Sequence, residues 1–267
     1  FGLRNPEPVE AADGAAWFIG DSFTFGWGVE QTEMFSSVAG KLAGVQSYNV
    51  ASPGTETCGY QMLFSRMPQN IKPRAVLIGF VIENDFRLTP CPKEGRLNRR
   101  ARETGPEFAN LIMYKVMLTK YSAIYNFLAV SLKRIDFIRN ALISIGIVKK
   151  EHGRKAFLRP EQIDTAVSVN AVELKWIKDQ LPSGTPFGVL LIPARFELMG
   201  VEPVYHVARI KFKEELTKLG IDVIDPFQAF FSRGMEKIHF AHDGHWSPLG
   251  HEVAGKAAAD WLRRELK

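Results

Sequence analysis

The sequence predicts a three-layer α/β/α sandwich built on a parallel sheet of about five strands, and three observations carry that reading. Short apolar runs recur at Ala16–Gly20, Tyr48–Val50, Ala75–Val81, Phe187–Ile192 and Ile221–Ile224. The three longer ones, Ala16–Gly20, Ala75–Val81 and Phe187–Ile192, are continuously apolar rather than alternating, as strands covered on both faces are. Segments with apolar residues three and four positions apart lie between them, which is the period of a helix. Strand–helix alternation of this kind favours parallel strands joined by right-handed crossovers.

Taken in order, residues 1–14 contain Pro and Gly and read as an extended arm before the first strand, Ala16–Gly20. A helix is expected from about Thr32 to Leu42, with Phe35, Val38, Ala39 and Leu42 on one apolar face. The short Tyr48–Val50 strand ends in a glycine turn at Gly54, and a second helix covers about Cys58 to Arg66. Pro68 and Pro73 then lead into Ala75–Val81. After residue 160 the alternation resumes with a helix over Ile163–Gln180, whose expected buried side is Ala166, Val169, Val172, Leu174, Trp176 and Ile177. Phe187–Ile192 is closed by Pro193, Val204–Leu219 is a helix stopped by Gly220, and Ile221–Ile224 is the last strand. The chain closes on a helix, Pro248–Leu266, with Val253, Ala257 and Trp261 on one face. Repeats and low-complexity tracts are missing.

Between Phe86 and Pro160 the alternation breaks. A basic loop with Arg96, Arg99, Arg100 and Arg102 precedes helix-like apolar stretches at 111–118, 121–132 and 135–148. Residues 86–160 hold 16 Lys/Arg against 5 Asp/Glu, a net of +11, whereas all 267 residues carry +5. The basic character therefore belongs to this segment and the rest is acidic. We read 1–267 as one domain with 86–160 as a basic, mostly helical insertion. It serves as a lid or docking cap facing anionic head groups or an acidic glycan, or more plainly as a solvated helical hairpin packed on the sheet. No nucleic-acid-binding motif accompanies the charge. With 46% apolar residues the chain can build a real core, and no run of eighteen uncharged apolar residues is present to span a membrane.

The chemistry-bearing stretch is Trp17-Phe18-Ile19-Gly20-Asp21-Ser22. It puts Ser22 at the carboxyl end of a buried strand, where open α/β sheets place their sites. Ser22 there is either the N-cap of a helix or a nucleophile, and a serine nucleophile needs a base, an orienting carboxylate and oxyanion donors. Candidates lie at other predicted strand ends: Ser52-Pro53-Gly54, Glu83-Asn84-Asp85, and Asp243-Gly244-His245-Trp246 before the last helix. These four blocks, in this order, resemble the SGNH/GDSL hydrolase family across nearly the whole chain apart from residues 86–160. The resemblance implies the flavodoxin-like SGNH fold and Ser22 as nucleophile. The N–H groups of Ser22 and Gly54 with the Asn84 amide become the oxyanion hole, His245 the base and acid, and Asp243 its partner. Two positions depart from the family pattern. Ile82 stands where the third block has glycine, and one residue rather than two separates Asp243 from His245. The resulting Asp-x-His-Trp looks like the variant in bacterial polysaccharide O-acetyltransferases. The lead-in Phe1–Pro8 resembles the segment after an N-terminal membrane anchor in some bacterial members, which places the protein as exported or anchored in an envelope.

Other residues are weighed against that set. His239, His242 and His251 compete with His245, but only His245 has a carboxylate two residues before it just ahead of the helix. Asp21 reads as a turn acceptor, and Glu83 and Asp85 as supports of the Asn84 turn. Trp27 is a sugar-stacking rim residue or a packed aromatic, and Arg195 is a second rim candidate. His239, His242, Asp243 and His245 could instead ligate zinc on a loop, but that leaves Ser22, Gly54 and Asn84 unexplained. A phosphate loop of the Gly-x-x-x-x-Gly-Lys type is absent. Cys58 and Cys91 follow two turns expected to meet at one rim, and are a disulfide pair or two thiols; a bridge implies an oxidising compartment. The expected activity is cleavage of a small-acyl ester of a small molecule, glycan or lipid, with no cofactor. The alternatives are an O-acyltransferase acting on a cell-envelope polysaccharide, and a non-catalytic binding module on the same fold.

Overall fold

The computed structural model describes residues 3–92, 158–201, 203–241 and 243–267. All but the first and last few residues of the expected 86–160 insertion, and His242, lie outside them. The sheet-bearing unit comprises residues 1–91 and 156–267. Its elements are β1 (Ala16–Gly20), α1 (Ser22–Phe25), α2 (Phe35–Ala43), β2 (Ser47–Asn49), α3 (Thr57–Arg66) and β3 (Ala75–Val81), followed by α4 (Ile163–Asp179), β4 (Phe187–Ile192), α5 (Arg195–Leu198), α6 (Pro203–Lys218), β5 (Asp222–Ile224), α7 (Phe227–Arg233), α8 (Met235–Ile238) and α9 (Pro248–Glu265).

The five strands form one sheet in the order β2-β1-β3-β4-β5, every pairing parallel. Its two faces are covered by separate cores, which makes three layers. Trp17, Ile19, Val76, Ile78, Phe80, Val189 and Leu191 pack with residues of α3, α4 and α6. Phe18, Leu77, Leu190 and Ile192 point the other way, toward residues of α2 and α9. Neighbouring residues of one strand feed opposite cores because strand side chains alternate. That is why these runs are apolar throughout. Each fully buried Leu, Ile or Phe contributes about 1.5–3 kcal/mol, so the three central strands supply much of the favourable term.

Strands β1, β3 and β4 have the bounds their sequences predict. Three helical expectations need correction. Helix α2 begins at Phe35, after a 3-10 turn at Gln31–Glu33, and Leu42 is 40% exposed rather than on the packed face. On α4, Val172 is 59% exposed, and the buried stripe runs instead through Ile163, Ala166, Val167, Asn170, Ala171, Leu174 and Ile177. Asn170 belongs there because its amide donates to the carbonyls of Ala166 and Arg87, and its oxygen accepts from Thr57. Finally, α1, α5, α7 and α8 are helices of four to seven residues that the period of the sequence does not announce.

The junction of β1 with α1 positions the site. Gly20 and Gly79 are register partners on adjacent strands. A Cβ on either would overlap the Thr24 hydroxyl. Two bare backbones side by side thus let α1 settle onto the strand ends, with Thr24 fully buried beneath it.

Candidate active site

Ser22 is the first residue of α1 and follows Asp21 as its N-cap. The Asp21 carboxylate accepts from the Phe23 N–H at 2.9 Å, which satisfies one orphan donor of the helix start. As the first helical residue, Ser22 has no carbonyl four positions earlier in the helix for its own N–H, so that donor is left for another acceptor. The short helix ends at Gly26 in the left-handed conformation, and the Trp27 N–H folds back onto the Ser22 carbonyl at 3.0 Å.

His245 comes from the loop between α8 and α9, 223 residues away. Its Nε2 lies 2.8 Å from the Ser22 Oγ. On the other side of the ring, Nδ1 bonds the Asp243 carboxylate. Because a carboxylate can only accept, Nδ1 carries the proton and Nε2 is free to accept from the serine. The one-residue spacing is accommodated by an Asx turn: Asp243 Oδ1 also accepts from the His245 backbone N–H at 3.0 Å. The same oxygen thus fixes both the backbone and the ring. Trp246, next in sequence, is completely buried against Phe230 with ring centroids 4.8 Å apart, which nails the loop to the core. The Phe23 ring flanks His245 at 5.2 Å.

Ser22, Phe23, Val81, Glu83, Asn84, Pro193, Arg195, Gly244 and His245 line one cavity of about 240 Å³. Asn84 is exposed at its wall, on a turn closed by bonds from the Asn84 and Asp85 N–H groups to the Val81 carbonyl. Ile82 does not disturb this turn: its side chain enters the core and its N–H extends the sheet to Ile192 at 3.0 Å. The Ser52–Thr55 turn sits over the end of β1 through Ser52 N–H and Thr55 hydroxyl bonds to the Gly20 carbonyl. Gly54 at its tip has φ +72° and is exposed, and it is not among the cavity-lining residues.

Two carboxylates beneath the site are held away from water. Burial pushes Asp21 up to about 6, against the hydrogen bond from Phe23 and the charge of His245. Burial, with the nearby Asp21 charge, pushes Asp85 well above the usual carboxylate range. Asp85 accepts from the Val81 N–H at 2.6 Å and from the Tyr60 hydroxyl. It is a support of the turn, as its sequence position suggests. Glu83 supports a different neighbour: it receives Arg195 through the backbone N–H at 3.0 Å and through Nε at 3.1 Å, with a second guanidinium bond closing the fork. The Glu83 hydrogen bonds raise the Arg195 pKa further. Arg195 also lies against Gly244, where a Cβ would overlap its guanidinium. A bidentate pair thereby ties the Asn84 turn to the His245 loop. The 112-residue separation hides it from any local reading of sequence.

The competing histidines are placed elsewhere. His251 is buried on the first turn of α9, its Nδ1 accepting from the Phe35 N–H at 3.3 Å, and burial lowers it to about 3. His239 is buried beside the Met235 carbonyl and lowered to about 4, again by burial first. Neither bonds Ser22. Among the described residues no three His, Cys, Asp or Glu side chains gather as metal ligands. Cys58 and Cys91 are joined in a disulfide with Cα atoms 5.4 Å apart. It links the start of α3 to the segment just past the Asn84 turn. Trp27 is 47% exposed, not packed, and its ring lies 6.0 Å from that of His245. Arg4 and Asn5 were not apparent from sequence as parts of this region. Arg4 donates to the Gly26 and Val29 carbonyls, and Asn5 makes a two-way bridge to the Asn49 backbone at 2.8 Å.

No protein-family model matches the sequence, and no curated protein matches it. Solved structures do. The chain is similar to a member of the lipolytic protein G-D-S-L family from Veillonella parvula at 12% identity and a TM-score of 0.50, over 92% of this chain and 96% of that one. It is similar to a carbohydrate esterase family 2 enzyme from Corynascus thermopiles at 14% identity and a TM-score of 0.53, over 100% and 69% of the two chains. A lipase/acylhydrolase from Enterococcus faecalis matches at 13% identity and a TM-score of 0.51, over 94% and 96%. At such identities the likeness is one of fold.

Proposed function

On the SGNH/GDSL hydrolase fold that this chain has, we propose a serine-dependent esterase that cleaves an ester of a small acyl group through a Ser22–His245–Asp243 triad. The observation that carries the reading is the continuous hydrogen-bond chain from Ser22 Oγ to His245 Nε2 at 2.8 Å and from Nδ1 to Asp243, opening into a cavity. The fold neighbours, a GDSL lipolytic protein and a carbohydrate esterase among them, belong to the same reaction class.

Ser22 Oγ attacks the ester carbonyl as its proton passes to His245 Nε2, and Asp243 stabilises the imidazolium that forms. The negative charge that develops on the carbonyl oxygen is met by the Ser22 N–H and the Asn84 amide, which line the cavity, and the family resemblance adds the N–H of Gly54, on the turn outside that lining, as a third donor. The C–O bond to the alcohol then breaks and His245 returns the proton to the leaving oxygen. Water, deprotonated by the same imidazole, attacks the acyl-enzyme, and the carboxylic acid leaves. The cavity suits a short acyl group. At about 240 Å³ it is walled on one side by the Glu83–Arg195 ion pair, whose half-exposed guanidinium a long apolar chain would strip of its remaining water. A fluorophosphonate should label Ser22, located by mass spectrometry, and Ser22→Ala should abolish both labelling and turnover of p-nitrophenyl acetate. Turnover that survives Ser22→Ala rejects the assigned nucleophile.

A second reading, favoured by the Asp-x-His-Trp block, keeps the acyl-enzyme and resolves it with a sugar hydroxyl of an envelope polysaccharide. Labelling of Ser22 without hydrolysis, together with acetyl transfer to a glycan acceptor faster than to water, would select it. In either case the partner is an acylated or acyl-accepting molecule presented at the cavity mouth, and an exported or envelope-anchored location accords with the disulfide.

A further inference from the structure

We propose that Trp27 forms the alcohol-side subsite of this centre and that the alcohol it receives is a pyranose, whose C–H face stacks on the indole; the inference rests on the esterase reading of Ser22 and His245. An isolated exposed apolar residue needs no explanation. Three features set Trp27 apart. Trp17, Trp246 and Trp261 are buried, whereas Trp27 is 47% exposed. Its ring stands 6.0 Å from the His245 ring at an interplanar angle of 36°. It is also presented on a loop fixed from every side. Its N–H bonds the Ser22 carbonyl at 3.0 Å, and Arg4 holds the flanking Gly26 and Val29 carbonyls while lying over the Phe25 ring at 5.4 Å. Gly28, with φ +84°, rests on Phe240, which a Cβ would approach to 2.8 Å. Phe240 in turn donates its N–H to the His245 carbonyl. The backbone of the loop and that of the base are thus tied together, so the indole projects from a fixed point beside His245.

The direction of the chemistry decides which half of the substrate meets it. His245 Nε2 must reach the leaving oxygen to return the proton, so the alcohol half of the ester lies on the His245 side. The carbonyl oxygen lies on the Asn84 side, inside the cavity. Trp27 flanks His245 and is not among the cavity-lining residues, so it faces the alcohol. A flat π-face over which no cation lies among the described residues suits a flat, weakly apolar ring face bearing hydroxyls at its edge. A pyranose has that shape, and the short polar chain of an acylglycerol does not.

The test compares kcat/KM for a set of methyl mono-O-acetyl-pyranosides with kcat/KM for vinyl acetate, a ringless acetyl ester, in wild type, Trp27→Ala and Trp27→Phe. We expect the pyranoside-to-vinyl ratio to fall about tenfold in Trp27→Ala, the size of an aromatic stacking contribution, and to recover most of that in Trp27→Phe. Ligand-observed NMR on the Ser22→Ala protein should show pyranoside binding that Trp27→Ala weakens to the same degree. A ratio unchanged by Trp27→Ala overturns the proposal, as does a fall that Phe does not restore. A selective loss on vinyl decanoate would make Trp27 an acyl-chain contact and overturns it too. Wild-type turnover of vinyl acetate through Ser22, with no pyranoside hydrolysed or bound, sinks the sugar subsite and leaves the esterase reading standing. Absence of fluorophosphonate labelling and of all turnover sinks the esterase reading itself.

Discussion

The floor beneath Ser22 and the rim around it are built on opposite principles. The floor is buried and locally over-determined. Gly20 and Gly79 make room for Thr24, Asp21 caps α1, Asp85 accepts from Tyr60 and Val81, and a disulfide closes the side. The rim consists of side chains on surface loops: His245 on its Asx turn, Asn84 on a four-residue turn, Trp27 on a glycine-flanked bend. Changes to the floor should therefore be felt in stability, because they leave buried polar groups or overlaps behind. Changes to the rim should be felt in rate, because they remove groups aimed at the reacting atoms and little else.

The largest separation of the two effects is expected at His245. His245→Ala should lower kcat/KM by about 10⁴-fold or more, roughly 5.5 kcal/mol of transition-state stabilisation, with Tm moved by only about two degrees. A large fall in Tm would show that the rim is structural after all. The disulfide tests the other half. It closes a loop with a sequence separation of 33, for which the chain-entropy model gives about 3–4 kcal/mol. A Cys58→Ser/Cys91→Ser variant should lose that much in denaturant unfolding, while kcat of the folded fraction stays within a few-fold. A stability loss below about 1 kcal/mol would remove the bridge from the floor's supports.

How much of this was legible beforehand follows the same division. Strands β1, β3 and β4 were readable because residues buried on both faces leave uninterrupted apolar runs. Ser22 and Asn84 could be picked out as candidates because each follows such a strand, and Asp243 and His245 because they stand just ahead of the last helix. What escaped depends on contacts distant in sequence. The four-residue α1 exists because two bare glycines on neighbouring strands admit it, and α7 and α8 exist because Phe230 and Ile238 have a core to enter. Neither circumstance leaves a period in the local sequence. Val172 was misassigned because the stripe of α4 includes Asn170, a polar residue made apolar-compatible by Thr57 and Arg87 on two other segments and by the Ala166 carbonyl of its own helix. Arg195 was marked for the rim by its place after β4, but its tie to Glu83, which joins the Asn84 turn to the His245 loop, was not visible. Arg4 gave no signal at all, since its acceptors are backbone carbonyls.

The finest discrimination between floor and rim comes from pH. Asp21 is buried and raised to about 6, from an ordinary value near 3.9 (about 3.9 in model peptides). A carboxyl raised in the folded state contributes stability that is present in full below about pH 4 and lost as pH rises to about 6, since the unfolded chain then prefers to release the proton. His239 and His251, lowered to about 4 and about 3, act in the opposite sense: their contribution is present above about 6.5 and lost as pH falls toward those values. The two trends overlap between about pH 4 and 6, so the wild-type profile alone cannot separate them. The difference between Asp21→Asn and wild type can, because the histidines are common to both, and the loss of the Asp21 charge, which leaves Asp85 less raised, acts in the same sense. Relative to wild type, Asp21→Asn should become more stable by roughly 2 kcal/mol on going from pH 4.5 to pH 7.5, read from urea unfolding at each pH. The asparagine keeps an oxygen for the Phe23 N–H, so the cap itself need not be lost. A difference independent of pH would mean that Asp21 is solvated like a rim residue, and the division between a buried floor and an exposed rim would then begin below Asp21 rather than at Ser22.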